Sequence, residues 1–200
     1  MEHGQYVNPG NSGFQVILNS EYIDKTGLIG QMNSRIDSPE GMVCVSRPRR
    51  FGKSYAAKML CAYYDSSCDS RGLFDGRAIS KMDGYEEYRN KYNVICFDVT
   101  SFFSEAMQRY GTMNEIACMI PGAIQKDLVA LYPYLASEST LTDCLLRCVE
   151  QEKRKFIFII DEWDAVIREA GLAAQKAYLD LLRGWFKKIS FTPKVERFSA

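Results

Sequence analysis

The sequence predicts an α/β fold, a parallel sheet covered by helices on both faces. Two apolar runs carry the prediction, Met42-Val43-Cys44-Val45 and Phe156-Ile157-Phe158-Ile159-Ile160. The first is short, and the second has the length and β-branched content of a strand buried on both faces. A third run, Asn93 to Val99, has the same character. Helical patterns separate the three, and that alternation builds parallel sheets.

In chain order, Met1 to Ser12 is polar, with Gly4, Pro9, Gly10 and Asn11, and reads as a flexible arm. Residues 13–200 then form one domain, a size at which 46% hydrophobic content can bury a single core. Leu28, Ile29, Met32 and Ile36 mark a short amphipathic helix, and Pro39-Glu40-Gly41 turns into the first strand. Ala57, Leu60, Cys61 and Tyr64 recur at helical spacing after Ser54. Asp65 to Gly84 reads as a loop with brief helices, Tyr85 to Lys91 as a polar helix, and Asn93 to Val99 as the second strand. Two longer helical patterns follow, Met113 to Leu131 and Leu141 to Gln151, with Pro121 expected to kink or start the first. The Phe156 strand comes next, and a last helix spans Ala174 to Lys188.

Two of the strands end in residues suited to one chemistry. After the first comes Ser46-Arg47-Pro48-Arg49-Arg50-Phe51-Gly52-Lys53-Ser54, which then opens a helix. Strand, basic turn, Gly-Lys-Ser and helix together read as a phosphate-binding loop, in which backbone amides and the helix dipole gather around anionic oxygens. Pro48, Arg49, Arg50, Phe51, Gly52, Lys53 and Ser54 are the candidate nucleotide contacts. Lys53 would reach the outer phosphates and the Ser54 hydroxyl would ligate Mg²⁺. The usual pattern starts with a glycine where this chain has Arg47, and Pro48 removes one amide donor. A basic surface turn that touches nucleic acid is the plainer alternative.

The Phe156 strand ends in Asp161-Glu162, at the edge where α/β sheets bind ligands. Asp161 would hold the Mg²⁺ and Glu162 would orient or deprotonate the attacking water. The plainer alternative is a pair of acids that favours the start of the next helix. Asp98, near the end of the second strand, is read as a structural hydrogen-bonding acid ahead of a metal ligand.

These segments resemble the AAA-ATPase-like family of bacterial proteins. The likeness runs from about Phe14 to about Val195 and rests on Tyr22-Ile23-Asp24-Lys25-Thr26, Arg47 to Ser54 and Asp161-Glu162-Trp163-Asp164. Gly72-Leu73-Phe74 and Tyr178 to Gly184 add to it. The resemblance implies a P-loop NTPase-like fold that binds ATP with Mg²⁺ and hydrolyses it, with Lys53 and Glu162 catalytic and Ser54 and Asp161 on the metal. The loop without its first glycine is normal in that family. It further implies a nucleotide partner, a site for Asp24 and Lys25 near the pocket (a capped surface turn explains them equally), self-association, and nucleic acid reached through a C-terminal nuclease-like domain of the PD-(D/E)XK type. An arginine finger would be expected, with Arg183 the candidate because it falls in a family-like segment.

In such hydrolases the strand after the acidic pair lies between the lysine-loop strand and the acidic strand. Here Phe191 to Val195 introduces it and Glu196 to Ala200 follows, so the sequence predicts a C-terminally incomplete, truncated sheet. Either Lys194 to Ala200 fills the gap in part or the acids drift from Lys53. A non-catalytic nucleotide-binding or interaction remnant is therefore the alternative function. A small-molecule kinase is a third, and would need an acceptor site.

Charge is balanced, 25 basic against 25 acidic residues, so no global field argues for nucleic acid or membranes. Seven scattered cysteines suit reduced thiols of a cytoplasmic protein. Cys144 and Cys148, one turn apart, read as a core stripe rather than half a metal site. The N-terminus shows no secretion leader, and no apolar run approaches spanning length.

Overall fold

Phe156–Asp161 is buried along its whole length because its two faces meet two different cores. The computed structural model describes residues 3–39, 41–45, 52–188 and 195–199, with the side chains of 186–188 and 195–199 left aside. Its four strands are β1 (Met42–Cys44), β2 (Asn93–Asp98), β3 (Phe156–Asp161) and β4 (Val195–Ser199). They form one sheet in the order β1-β4-β3-β2, and every pairing is parallel.

Side chains alternate across the sheet with the period of two that a strand imposes. Val94, Ile157 and Ile159 enter one core, while Ile95, Phe97, Phe156, Phe158 and Ile160 enter the other. The first core is closed by α1 (Ser12–Leu18), α2 (Gly27–Asn33), α3 (Lys53–Tyr64), α4 (Arg71–Phe74) and α5 (Tyr85–Tyr88). The second is closed by α6 (Ser101–Tyr110), α7 (Ile116–Leu131), α8 (Leu141–Glu152), α9 (Ala165–Glu169) and α10 (Leu172–Lys188). The mixed α/β architecture with helices on both faces follows from the two cores.

α3 buries Ala57, Leu60, Cys61 and Tyr64, the stripe its periodicity predicts, and also Met59, Ala62 and Tyr63. The second half of α3 is thus enclosed on all sides. Phe14 of α1 stacks on Phe74 at 5.2 Å, and Phe74 meets Tyr63 edge-on at 5.3 Å. Buried Asn33 satisfies the two tyrosine hydroxyls, accepting from Tyr64 at 2.7 Å and donating to Tyr63 at 3.3 Å. α7 begins at Ile116, upstream of Pro121, so that proline sits inside the helix instead of starting it. α8 starts where Thr140 Oγ1 accepts the Asp143 amide at 3.2 Å, an N-cap bond. Its Cys144 and Cys148 are buried in the second core.

One expectation changes, and one open alternative is decided. The described part of the predicted arm, residues 3–12, is docked instead of loose. Val7 is fully buried and bridges antiparallel to Ile95, with Tyr6 O accepting the Cys96 amide at 2.8 Å and the Asn8 amide donating to Val94 O at 2.7 Å. The physical reason is the open edge of β2, whose unpaired backbone groups need partners. The Asp127 carboxylate fixes the segment by accepting the amides of Gln5, Tyr6 and Val7 at 3.1, 2.7 and 2.8 Å. Secondly, of the two outcomes posed for the sheet, the gap is filled: β4 pairs β1 on one side and β3 on the other. Both neighbours thereby gain a hydrogen-bonded ladder.

Candidate functional site

All four strands point the same way, so the ends of β2 and β3 and the start of α3 share one rim of the sheet. Asp98 and Asp161 are register partners at that rim. Pro48, Arg49, Arg50 and Phe51 lie outside the described residues. Gly52 caps α3 at φ 78°, ψ 31°, in the left-handed region that favours glycine. A Cβ there would also come within 3.2 Å of Lys25 Nζ, which brings Lys25 beside the loop. Asp24 is otherwise engaged: it accepts the Thr26 amide and hydroxyl at 2.9 and 2.7 Å and the Ala78 amide at 2.9 Å. It staples the entry of α2 to a distant turn.

Lys53, first in α3, places Nζ 3.6 Å from Glu162 Oε1, with both side chains largely shielded from solvent. Next to it, Ser54 lies beside Asp161. Asp161 is only 6% exposed, and burial pushes its carboxyl above the usual carboxylate range. Ser54 and the Glu162 amide, which donates at 3.0 Å, pull it back, while Asp98 and Glu162 add to the rise. Asp98 itself accepts the Thr100 amide and hydroxyl at 2.8 and 2.7 Å, the structural part expected of it.

Glu162 turns the chain away directly after β3, with φ at +48°. Non-glycine residues adopt this region rarely, and such strain collects at functional sites. Its Oε2 accepts from Arg168 at 2.8 Å, and this bond, with Lys53 nearby, holds the carboxyl below its ordinary range against the opposing effect of burial. Arg168 also pairs closely with Asp164 one turn earlier on the helix. Burial tends to raise the Asp164 carboxyl, but the bond to Arg168, the charges of Arg168 and Lys53 and a backbone hydrogen bond together outweigh it, and the net shift is downward. The hydrogen bonds that Arg168 donates to Asp164 and Glu162 in turn raise the guanidinium further.

Lys53, Ser54, Glu162 and Arg168 line a cavity of about 630 Å³ together with Gly52, Tyr55, Thr100 and Glu169, and Asp161 lies behind Ser54, outside the lining. That volume accommodates a nucleotide-sized ligand. Another cavity, of about 680 Å³, lies by α6, α7 and the N-terminal segment and contains none of the predicted site residues. Lys53, Ser54, Asp161 and Glu162 are brought together at one rim, and Gly52 joins them. Arg183, the candidate finger, is exposed on α10 and pairs with Asp180 at 3.1 Å. Tyr55, Thr100, Arg168 and Glu169 are the lining residues that sequence reasoning missed. Only the Asp164–Arg168 spacing of four residues offered a signal, that of a helical ion pair.

The donor set fits Mg²⁺. This ion keeps several waters and takes one or two carboxylates together with phosphate oxygens, and here a hydroxyl and a buried carboxylate are neighbours. A cage made of protein alone would need more, and among the described residues no three His, Cys, Asp or Glu side chains gather around one point.

Fold and site together define an α/β protein with a cationic and acidic cleft at the carboxyl rim of a parallel sheet. A family model described as "Predicted AAA-ATPase" matches residues 10–198, and the chain belongs to this AAA-ATPase-like family. Neither a curated protein nor a solved structure matches it. Among the described residues, no helix is long and apolar enough to cross a membrane.

Proposed function

We propose that this protein binds ATP with Mg²⁺ at the cleft and hydrolyses it, on a P-loop NTPase-like fold. The observation that carries the reading is the convergence of Lys53 Nζ and Glu162 Oε1 to 3.6 Å, next to Ser54 and Asp161. These residues come from the start of α3 and the end of β3, more than a hundred positions apart. Family membership supports ATP as the nucleotide.

Each residue has a physical task. Gly52 lets the backbone turn tightly into α3, so that the first amides of the helix face the phosphates with the positive end of its dipole. Lys53 neutralises outer phosphate oxygens as a point charge. Ser54 and Asp161 would hold the Mg²⁺, which supplies charge neutralisation on the phosphates and helps align them. Glu162 orients a water and accepts its proton as the water oxygen bonds to the terminal phosphorus. The bond from that phosphorus to the bridging oxygen breaks, and ADP and phosphate leave.

A second reading, nucleotide binding without turnover, is favoured by one observation. Glu162 is engaged by two cations, and a carboxylate so held is a poor base. Calorimetric titration with Mg–ATP, followed by a phosphate-release assay, tests both. Saturable binding that Lys53→Ala abolishes supports the site, and phosphate release that Glu162→Gln abolishes supports turnover. No binding by the wild-type protein would end the proposal.

A further inference from the structure

Arg168 lines the cavity, yet binding and hydrolysis as described give it no task. It is one-third exposed and sits among three carboxylates: Glu162 at 2.8 Å, Asp164 in a close pair, and Glu169 at 3.8 Å. The other oxygen of Glu162 faces Lys53 at 3.6 Å. Around the cavity two cations thus meet three carboxylates, all within reach of water. A purely structural ion-pair network could look similar on an open surface. Here the network shares a concave site with the first residues of α3, where the phosphate chain would lie.

A triphosphate entering that site changes the balance. It would draw Lys53 away from Glu162 by offering a denser negative charge. Its terminal oxygens would face the Arg168 guanidinium, whose planar fork suits phosphate in a two-pronged contact. The same oxygens would repel the carboxylates that now hold Arg168. Both cations on Glu162 would therefore be drawn to the ligand together.

We infer that Arg168 is a second phosphate-binding cation of this site, which exchanges Glu162 for the terminal phosphate of a nucleoside triphosphate and so frees the Glu162 carboxylate to work on water. The inference rests on the nucleotide reading above and adds to it the residue that distinguishes three phosphates from two. Glu162 is then restrained while the site lacks a third phosphate.

The test is calorimetric titration of the full chain with Mg–ADP and with Mg and the non-hydrolysable β,γ-imido analogue of ATP. Arg168→Ala is expected to lose on the order of tenfold in affinity for the analogue, the ratio one charge-assisted bond supports. Its affinity for ADP should stay within about twofold, the range that ordinary surface substitutions produce. Arg168→Lys should recover part of the loss. Asp164→Asn, which loosens the hold on Arg168, should strengthen binding of the analogue and leave ADP unchanged. Equal effects of Arg168→Ala on both ligands, or none on either, would overturn the inference alone. Failure of the wild-type protein to bind either ligand would overturn the nucleotide reading and this inference with it. If circular dichroism shows that Arg168→Ala does not fold, the decision passes to Asp164→Asn, and unchanged analogue affinity there overturns the inference.

Discussion

Replacing Glu162 by Gln removes one charge and almost no volume, so its consequences can be worked from the contacts. The amide keeps an oxygen that can accept from Arg168, now 2.8 Å away, but it gives up the ion pairs with Arg168 and with Lys53 at 3.6 Å. Both pairs are partly solvent-exposed, and such pairs contribute roughly 0–1 kcal/mol each. For a chain of this size, 1 kcal/mol moves Tm by about 2–4 °C, so the variant should melt within a few degrees of wild type. Binding of Mg–ATP should persist and even strengthen, since a carboxylate that repels the terminal phosphate has gone. Turnover is different, because a positioned general base contributes about 10²–10⁴-fold. Single-turnover phosphate release by saturated enzyme, measured beside a thermal melt, separates the two effects. A loss within twofold of wild type, with the fold intact, would refute the role given to Glu162.

Three further expectations come from individual contacts. Gly52→Ala forces a Cβ into a left-handed conformation next to Lys25 Nζ; it should cost about 1–2 kcal/mol, or about 2–8 °C in Tm, and a melt equal to wild type would contradict that geometry. Asp161 has its carboxyl raised by burial, so the folded protein holds this proton more tightly than the unfolded chain does. Its charged form therefore costs stability above the raised value, and the cost fades as pH falls towards the ordinary 3.8. Asp161→Asn should raise Tm near neutral pH, with the gain shrinking on acidification, while Mg–ATP affinity of the wild type weakens as pH falls through the same window; a variant that melts lower than wild type at about pH 7 would count against this. Asp127→Ala withdraws the acceptor of three consecutive amides, and hydrogen exchange at Tyr6 and Val7 should quicken, with unchanged rates showing that the carboxylate does not anchor the segment.

What the sequence disclosed follows from how local each signal is. β3 was legible because Phe156 to Ile160 is apolar on both faces, and only burial on both sides accounts for that. α3 was legible through Gly52-Lys53-Ser54 and the stripe from Ala57 to Tyr64. By contrast, α6 passed unnoticed because only Phe102 and Ala106 are buried in it, too few to set a period. α1 is similar, with Phe14 and Ile17 alone. The docking of residues 3–12 depends on Asp127 and on the edge of β2, both remote in sequence, and nothing in a polar stretch around Val7 announces either. β4 was half visible, since Val195 suggested a strand but Glu196 and Arg197 broke the apolar pattern. Its position comes from the pairing needs of β1 and β3.

The site divides in the same way. Lys53 and Ser54 open the helix that follows β1, and Asp161 and Glu162 lie at the end of β3, both at the rim where this fold class binds ligands, so their meeting could be anticipated. Arg168 meets Glu162 only because Glu162 turns at φ +48° and α9 starts directly afterwards. Sequence spacing contains no trace of that turn, and attention went instead to Arg183, which faces Asp180 on α10.

The most direct examination is an experimental structure of the protein with Mg²⁺ and the β,γ-imido analogue of ATP. The triphosphate is predicted to lie along the start of α3, with Lys53 Nζ on its outer oxygens, Ser54 and Asp161 on the metal side and Glu162 facing the terminal phosphorus. A nucleotide seated in the cavity beside α6 and α7, with Lys53 still paired to Glu162, would contradict the account.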